Sequence, residues 1–431
     1  MISIIYPNSF KAGIACLATH ILLTHLSKFG YNVGAYFLEN YHLVRGASTI
    51  FITLQYENDY FNAIKIIREL REKNPNALFV AGGPCVMENL HPLEDFFDVF
   101  IVGEIEDSDV MDKVVRRDFS DSCLYIPNKT KKVKKIYPKR LGIEDYPIKQ
   151  MTHEKGAYGK AFLLEIGRGC PRRCRFCLAR AIYYPPRFRK LDDLIYLAER
   201  GVKESKVNKV ALIAPSVGDY KYIVELCNYL NELNVQISPS SLRADTITDD
   251  LLRALKLKTL TIAPEAGSER LREYIRKDIS LEDIRNAIEL AKKHGIEKVK
   301  LYFMVGIPTE TEDDIKELIS LCESIKKEFR KVEITINPLI PKPHTDFENV
   351  PFDIESKRKI RFIEKNLKNV KVEYENFNSM LSQAVLARGD KKLGNYLKIS
   401  KNYSEFVRYL KRDKVLDEYL KGLKAKTEME L

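Results

Sequence analysis

The chain of 431 residues is 45% hydrophobic and 30% charged, which excludes a wholly disordered protein and predicts two or three packed domains. Its 71 Lys and Arg against 60 Asp and Glu give a formal net charge of +11, a balance that permits an anionic partner such as RNA without requiring one. No apolar run reaches the roughly 18 residues that a membrane span needs, and the first residues lack the pattern of a secretory signal. We therefore expect a cytoplasmic protein without a membrane partner.

The amino-terminal part, residues 1–110, alternates short apolar strands with amphipathic helices, and its third apolar run ends in Gly-Gly-Pro. This alternation predicts a Rossmann-like domain with a parallel sheet, which binds ligands beyond the carboxyl ends of its strands. Residues 111–160 are basic and lack long apolar periodicity, and we interpret them as a linker.

A second series of strands and helices occupies residues 161–341. It contains six apolar strands with helices between them, which predicts a partial (β/α)6 barrel because a closed barrel of this kind needs eight strands. Residues 342–431 are expected to form a small mixed and helical extension. The predicted fold class is therefore α/β.

The eight cysteines fall into two groups. Five stand singly among apolar neighbours and are predicted to be small buried side chains: Cys16, Cys85, Cys123, Cys227 and Cys322. The other three, Cys170, Cys174 and Cys177, lie in the sequence GCPRRCRFC with C-x3-C-x2-C spacing.

This spacing indicates a metal centre, because thiolates bind zinc or iron–sulfur clusters. Structural zinc takes four protein ligands, usually from two C-x2-C pairs, and no second pair is present in the sequence. Three thiolates suit three corners of a [4Fe–4S] cluster and leave one iron open for a substrate. We predict Cys170, Cys174 and Cys177 as the metal ligands and as the catalytic centre.

The cysteine loop, placed after the first barrel strand, resembles that of the radical S-adenosylmethionine (SAM) superfamily. The resemblance implies that SAM binds the open iron and is cleaved by the reduced cluster to methionine and a 5′-deoxyadenosyl radical. That radical abstracts hydrogen from an unactivated carbon. Phe176 matches the aromatic position that contacts adenine in that family.

Residues at another strand end of the barrel are candidates for SAM binding, since barrels bind ligands at this edge. We expect Glu265 to accept a hydrogen bond from the ribose or the amino group of SAM, and Ser268 and Arg270 to bind its carboxylate. The structural alternative is that Ser268 caps a helix and that Arg270 forms an exposed pair with the neighbouring Glu269.

Two more strand ends extend this set. Ser241 and Arg243 end a further barrel strand, and the fork of the Arg243 guanidinium suits a bidentate bond to a carboxylate. Gly306, in the sequence GIPTET, resembles the strand end that covers adenine in the family, although Gly-x-Pro also simply ends strands.

The amino-terminal domain resembles the cobalamin-binding domain of class B radical SAM enzymes. The matches are Thr53 and Leu54 at the end of the second strand, and Gly82 and Gly83 at the end of the third, where glycine lets backbone approach a cofactor closely. The family's Asp-x-His-x-x-Gly loop, whose histidine can bind cobalt, is missing, since residues 38–43 are LENYHL. Cobalamin is therefore expected without that ligand, or the domain binds none.

Within class B the chain is most similar to archaeal and bacterial proteins that include methylases of protein carbons, such as the enzyme that modifies a glutamine Cα of methyl-coenzyme M reductase. The resemblance implies a C-methyltransferase, in which the radical removes a hydrogen atom from an sp3 carbon and methylcobalamin supplies the methyl group. The implied partners are a protein or peptide substrate and an electron donor such as a ferredoxin or flavodoxin.

Two alternatives remain open. An RNA-modifying methylthiotransferase would suit the positive charge, but that family carries extra amino-terminal cysteines for a second cluster and a carboxy-terminal β-barrel. The amino-terminal part of this chain contains only three scattered cysteines, and its carboxy-terminal segment has a helical pattern. The other alternative is a non-catalytic protein that uses its cluster to sense redox state.

Overall fold

The computed structural model describes residues 1–430, and a six-stranded sheet organises its amino-terminal unit. The strands are β1 (Ile2–Ile5), β2 (Val33–Tyr36), β3 (Thr49–Thr53), β4 (Leu78–Gly82), β5 (Val99–Ile101) and β6 (Leu124–Tyr125). The helices are α1 (Phe10–Gly13), α2 (Leu17–Lys28), α3 (Tyr60–Lys73), α4 (Pro84–Asn89) and α5 (Val110–Val115). The central strands β1, β3 and β5 are buried along their whole length, as parallel strands covered on both faces are.

The strand order of this first unit is β2-β1-β3-β4-β5-β6, with every pair parallel except β5 and β6. In a doubly wound sheet of this order, ligands bind at the carboxyl edge near the point where the strand order reverses. That point lies between β1 and β3, so a cofactor is expected at the carboxyl edge of the sheet beside these strands.

The segment interpreted as a linker, residues 111–160, is packed rather than extended. It contains most of α5, then β6 and β7 (Val133–Lys134), and the sheet of the first unit continues through it as far as Tyr125. The side chains of Leu124, Val133 and Tyr146 are buried. Strands of two residues are too short to give a hydrophobic period, so the pattern of the sequence cannot reveal them.

The second unit is built on a parallel arc of strands. The strands after β7 are β8 (Phe162–Glu165), β9 (Gly167–Arg168), β10 (Arg187–Phe188), β11 (Lys209–Ile213), β12 (Gln236–Pro239), β13 (Thr259–Glu265), β14 (Lys298–Val305), β15 (Lys331–Pro338) and β16 (Lys371–Glu373). The helices are α6 (Leu178–Ile182), α7 (Leu191–Ser205), α8 (Ile223–Glu232), α9 (Asp249–Leu255), α10 (Glu269–Tyr274), α11 (Leu281–Lys293), α12 (Glu312–Glu328) and α13 (Ser356–Asn366).

The arc confirms the predicted α/β class with its partial barrel. Strands β12, β11 and β8 form one parallel group and β13, β14, β15 and β16 another, and a bridge between Leu242 and Ile262 joins the two groups. Six strands alternate with helices as expected, and β16 adds a seventh at the open edge. Along β13, β14 and β15 buried positions alternate with less buried ones, so one face of the arc packs against the helices.

The carboxy-terminal helices pack against the first unit instead of forming a separate body. They are α14 (Phe377–Arg388), α15 (Leu393–Ile399), α16 (Tyr403–Arg412) and α17 (Leu416–Leu420), and β17 (Met429–Glu430) pairs with β7. Leu381 and Phe406 share a core with Tyr60 and Phe61 of α3, and the rings of Phe61 and Phe406 meet edge to face at 5.6 Å. Among the helices of residues 1–430, none combines the length and the apolar character that crossing a membrane requires.

Candidate functional site

The cysteine loop, residues 169–177, lies just beyond the carboxyl end of β8, after the short ribbon that β9 forms with β10. Gly169 opens the loop with φ +76°, and a Cβ added there would lie 2.4 Å from the carbonyl oxygen of Tyr183, so only glycine fits. The Cys177 N–H donates to the Cys174 carbonyl at 3.3 Å, and α6 begins directly after Cys177. The loop is therefore a tight, fixed turn.

Arg172 fastens one side of the cysteine loop to the barrel. Its Nε donates to Asp219 Oδ2 at 3.0 Å, and its Nη1 lies 3.0 Å from Asp245 Oδ2. These acids follow β11 and β12, so the loop is tied to the ends of two neighbouring strands. Burial would raise the pKa of Asp219, but the Arg172 guanidinium outweighs it and lowers that pKa below its ordinary value.

Arg175 fastens the other side of the loop. Its N–H donates to the Ile275 carbonyl at 3.0 Å, and its guanidinium lies 4.7 Å from the ring centre of Tyr274 and 4.9 Å from that of Phe347. The guanidinium lies beside both rings, and these contacts restrict its orientation and that of the neighbouring Cys174 backbone.

The three thiols have the character that a cluster requires. Burial raises the pKa of Cys174 to about 11, and the positive charges of Lys277 and Arg243 act in the opposite direction. A bound metal ion removes a coordinating thiol proton outright, and these two cations stabilise the resulting thiolate. Three thiolates on one loop leave one corner of a [4Fe–4S] cluster without a protein ligand, and this donor set fits such a cluster.

Two predicted SAM ligands, Ser268 and Arg270, form hydrogen bonds within the protein. Ser268 caps α10 by accepting from the Leu271 N–H, is almost wholly buried, and donates to Asp314. Arg270 donates to the same carboxylate and, at 2.9 Å, to the Thr309 carbonyl. The structural alternative for Ser268 holds, but the partner of Arg270 is a buried acid of α12 and not a neighbour on its own helix.

Arg243 and Glu265 are also paired. The Arg243 fork donates to both oxygens of Asp245, at 2.9 and 3.1 Å, and to the Lys277 carbonyl at 2.7 Å. The predicted bidentate bond of Arg243 to the SAM carboxylate stays a prediction, and it would compete with these contacts. Glu265 has φ +69° at a register shift in β13 and accepts from Lys277 Nζ at 3.0 Å. Ser241 is exposed at the end of β12.

Phe176 lies on an apolar patch that includes Ile307, the residue directly after Gly306. Phe176 packs against a small core that includes Ile307 and Phe347. Gly306 has φ +76°, and a Cβ there would lie 2.5 Å from Ser356 Oγ, so this glycine is required by the backbone and by close packing.

Two further residues of the site have no signal in the sequence. Arg272 is 1% exposed and donates to the carbonyls of Ala266 and Gly267, at 3.1 and 2.7 Å, so it shapes the turn after β13. Lys277 is the buried cation that faces Cys174 and Glu265. Both occur among exposed charged residues in the sequence, and only their burial distinguishes them.

A cavity of about 420 Å³ lies at the seam between the two units, and we call it the seam cavity. The ends of β3, β4 and β5 form one wall, and the other comes from β8, β9 and the residues after β11. Its lining is largely apolar and includes Leu17, Ile21, Leu22, Phe51, Ile101 and Met111. Cys16, expected to be buried, is only half-buried and lines this cavity.

The four predicted cobalamin-contacting residues have different places at this cavity. Thr53, Gly82 and Gly83 line it, whereas Leu54 is fully buried behind it and accepts from the Cys85 N–H. Gly83 has φ +105°, and a Cβ there would lie 2.5 Å from the Leu54 carbonyl oxygen. Only glycine therefore allows the backbone at residue 83 to pack this closely against Leu54. A Cβ at Gly82 would meet only the Ile101 carbonyl, at 3.8 Å, so this glycine leaves room inside the cavity.

A second cluster of ligand-type side chains lies in the first unit. One atom each of Glu57, Cys85 and Glu88 come within 4.8 Å of one another, and all three residues are buried. Lys342, which follows β15 of the barrel, donates to Glu57 and lies 3.1 Å from Glu88. Burial lowers the pKa of Lys342 to about 7 and raises that of Glu88. The Lys342 side chain therefore contacts two of the three candidate ligands.

Models of one superfamily match both units. A model of the Radical SAM superfamily matches residues 164–322, which contain the cysteine loop, and a model of the amino-terminal part of radical SAM proteins matches residues 29–126. The chain is also 70% identical over 423 residues to the uncharacterized protein MJ0966 of Methanocaldococcus jannaschii, across 97% of this chain and 95% of that protein.

More distant similarities concern enzymes. The chain is 23% identical over 356 residues to a tRNA-2-methylthio-N(6)-dimethylallyladenosine synthase of Clostridium perfringens, across 78% of this chain and 76% of that protein. Its fold is similar to that of TsrM, a radical S-adenosylmethionine methyltransferase from Kitasatospora setae solved with cobalamin and a [4Fe–4S] cluster bound. The TM-score is 0.64 at 14% identity, over 82% of this chain and 76% of that chain. At this identity the likeness is one of fold.

Proposed function

The chain belongs to the radical SAM superfamily, and from that premise we propose that it is a cobalamin-dependent C-methyltransferase. A radical SAM domain carries a [4Fe–4S] cluster and binds SAM. The observation that carries the proposal is the seam cavity, because an apolar cavity at the carboxyl edge of a doubly wound sheet, facing the barrel, suits a second large cofactor.

The roles of the residues follow from their positions. Cys170, Cys174 and Cys177 hold the cluster, and Lys277 together with Arg243 stabilises the thiolates. When bound, the cluster supplies the electron that cleaves SAM, and the corrinoid supplies the methyl group. Phe176 and the adjacent apolar patch provide a surface for adenine.

The first unit provides the corrinoid site. Thr53 and Gly82 face the seam cavity, and the small side of Gly82 leaves space for a ring system. The apolar side chains of the cavity exclude water, which protects a reactive carbon radical from side reactions. The proposal requires no histidine ligand to cobalt from residues 38–43.

The finer assignment is the methyl acceptor. We propose a carbon of a protein or peptide chain, with a glutamine Cα of methyl-coenzyme M reductase as the first substrate to test and a ferredoxin or flavodoxin as electron donor. The support is the similarity of the sequence motifs to archaeal methylases. The experiment is incubation of the reduced enzyme with SAM and unmodified substrate, followed by mass spectrometry for a gain of one methyl group.

A radical SAM methylthiotransferase acting on RNA is the second candidate, favoured by the similarity to the tRNA-modifying synthase and by the net charge. That chemistry needs a second cluster in the first unit. Cys85 and Cys123 belong to different hydrophobic cores there, and Cys16 lines the seam cavity. A count of about eight irons per chain in place of about four would favour this candidate.

A further inference from the structure

Six charged side chains form one buried network at the seam between the units. Three are acids and three are arginines, so the charges balance: Glu104, Glu106, Glu165, Arg168, Arg187 and Arg189. Their side chains are between 2% and 12% exposed. Burying ions costs several kcal/mol per ion, so such a network adds little net stability even when every ion is paired. Its main effect is to specify one arrangement of the groups that it joins.

Arg168 is the centre of the seam network. Its Nη1 donates to Glu104 Oε2 at 2.8 Å and its Nη2 to Glu106 Oε1 at 2.7 Å. Its Nε donates to Glu165 Oε1 at 2.9 Å. The first two acids follow β5 of the first unit, and Glu165 ends β8 of the barrel. One planar guanidinium therefore joins the two units in a fixed relation.

Glu104 is itself held on several sides. Its second carboxylate oxygen accepts from Arg187 Nη2 at 2.7 Å, and its N–H donates to the Ile136 carbonyl at 2.8 Å. The preceding Gly103 has φ +128°, and a Cβ there would lie 2.1 Å from the Ile136 carbonyl oxygen. The Glu104 backbone is thus fixed by Ile136, and the Glu104 carboxylate accepts hydrogen bonds from both Arg168 and Arg187.

The seam network lies beside both cofactor positions. Arg168 precedes Cys170 by two residues, and the intervening Gly169 is locked by its contact with the Tyr183 carbonyl. Glu104, Glu106, Glu165 and Arg168 also line the seam cavity. A displacement at Glu104 therefore reaches the cysteine loop through Arg168 and reaches the cavity directly.

We infer that Glu104 is a positioning residue that fixes the cysteine loop relative to a corrinoid in the seam cavity. The inference rests on the proposed function, because it assigns Glu104 to the separation between the two cofactors. Glu104 is hydrogen-bonded to Arg168, Arg187 and the Ile136 carbonyl and to none of the three loop cysteines. If its charge is lost, Arg187 keeps only carbonyl acceptors, and Arg168 loses one of its two ion pairs with the first unit.

The test measures the separation and not only activity. Wild-type chain, Glu104→Gln and the control Glu333→Gln are reconstituted with iron, sulfide and hydroxocobalamin and then reduced. Glu333 bridges Lys298 and Lys300 at the amino end of the barrel strands, away from the seam. Electron paramagnetic resonance then records the dipolar splitting between the reduced cluster and Co(II), which falls with the cube of their distance.

We expect wild type and Glu333→Gln to give the same resolved splitting. Glu104→Gln should keep its iron content, and it should lose the resolved splitting because the distance is no longer unique. Glu104→Asp, which keeps the charge but withdraws it by one methylene, is the second variant and should shift the splitting without abolishing it.

An unchanged splitting in both Glu104 variants would overturn the inference. A loss of iron in both would overturn it as well, since Glu104 would then be needed to assemble the cluster instead of to place it. If wild type itself takes up a cluster but no hydroxocobalamin, the proposed function fails, and this result is distinct from either outcome in the variants.

Discussion

At the residue scale, the three loop cysteines can be tested against a buried cysteine elsewhere in the barrel. Cys174→Ala should lower iron and sulfide after anaerobic reconstitution to near background and abolish formation of 5′-deoxyadenosine, because a cluster held by two thiolates is labile. Cys227→Ala is the control, since Cys227 is fully buried in the barrel core. Its iron content should equal that of wild type, and a Cys174→Ala chain with full iron would refute the ligand assignment.

The adjacent glycines of the seam cavity offer a second residue-scale prediction. Gly83→Ala should destabilise the protein by more than about 1 kcal/mol, because its φ of +105° and the Leu54 carbonyl at 2.5 Å both exclude a side chain. Gly82→Ala should change stability by less than about 0.5 kcal/mol and still weaken hydroxocobalamin binding, because the new methyl group enters the cavity. Urea unfolding and absorption titration measure the two effects. Equal loss of stability in both variants would contradict this division of roles.

The sequence predicts a site well where the chemistry is local. Cys170, Cys174 and Cys177 lie within one short loop. Their spacing alone therefore indicates a metal site, without reference to residues remote in sequence. Ser268 and Arg270 differ, because their partner Asp314 lies more than 40 residues further on, at the start of another helix. A charged side chain near a strand end is available to a substrate only if the fold leaves it unpaired, and that depends on residues remote in sequence.

At the scale of elements, α12 depends on Asp314. This acid forms a capping box with Thr311 and also binds Ser268 and Arg270. Burial raises its pKa, but these hydrogen bonds outweigh burial and lower the pKa to about 2. An aspartate with a depressed folded pKa stabilises the fold fully above its unfolded value of about 3.9 and loses that contribution as pH falls through the folded value.

Asp314→Asn should therefore cost about 1–2 kcal/mol at neutral pH. It should also flatten the dependence of stability on pH between about 5 and 2. Asp313→Asn, on the same helical turn but 82% exposed, is the matched control and should have little effect on either. The measurement is the urea midpoint of unfolding of wild type and both variants across that pH range. A variant at Asp314 that follows the wild-type pH curve would show that the cap contributes nothing.

The elements themselves follow from the sequence where they are long or wholly buried. The strands β3 and β8 have apolar centres and are buried along their whole length, and α11 begins with the capping box of Ser280 and Asp283. The strand β2 is half-buried at the sheet edge and β6 has two residues, so neither leaves a hydrophobic period. The sequence could not indicate that the carboxy-terminal helices cover the first unit. An amphipathic pattern identifies which face of a helix is buried, but it does not identify the element against which that face packs.

At the scale of the whole molecule, the carboxy-terminal helices and the first unit share one hydrophobic core. Phe406 of α16 is fully buried against Phe61 of α3, so Phe406→Ala should destabilise the first unit by about 3–5 kcal/mol. Phe362 is 50% exposed on α13, and Phe362→Ala should cost less than about 0.5 kcal/mol. Hydrogen exchange of amides in β3 and β4 measures the loss locally. Unchanged protection there would mean that the carboxy-terminal helices do not support the sheet.

The account as a whole depends on one chain holding two cofactors on either side of the seam network. The most direct measurement is the metal and corrinoid content of the protein reconstituted without oxygen in the presence of hydroxocobalamin, with an absorption spectrum of the same sample. We predict about four irons, about four sulfides and one corrinoid per chain. A protein that takes up no iron–sulfur cluster, or one that takes up the cluster but excludes the corrinoid, would contradict the account.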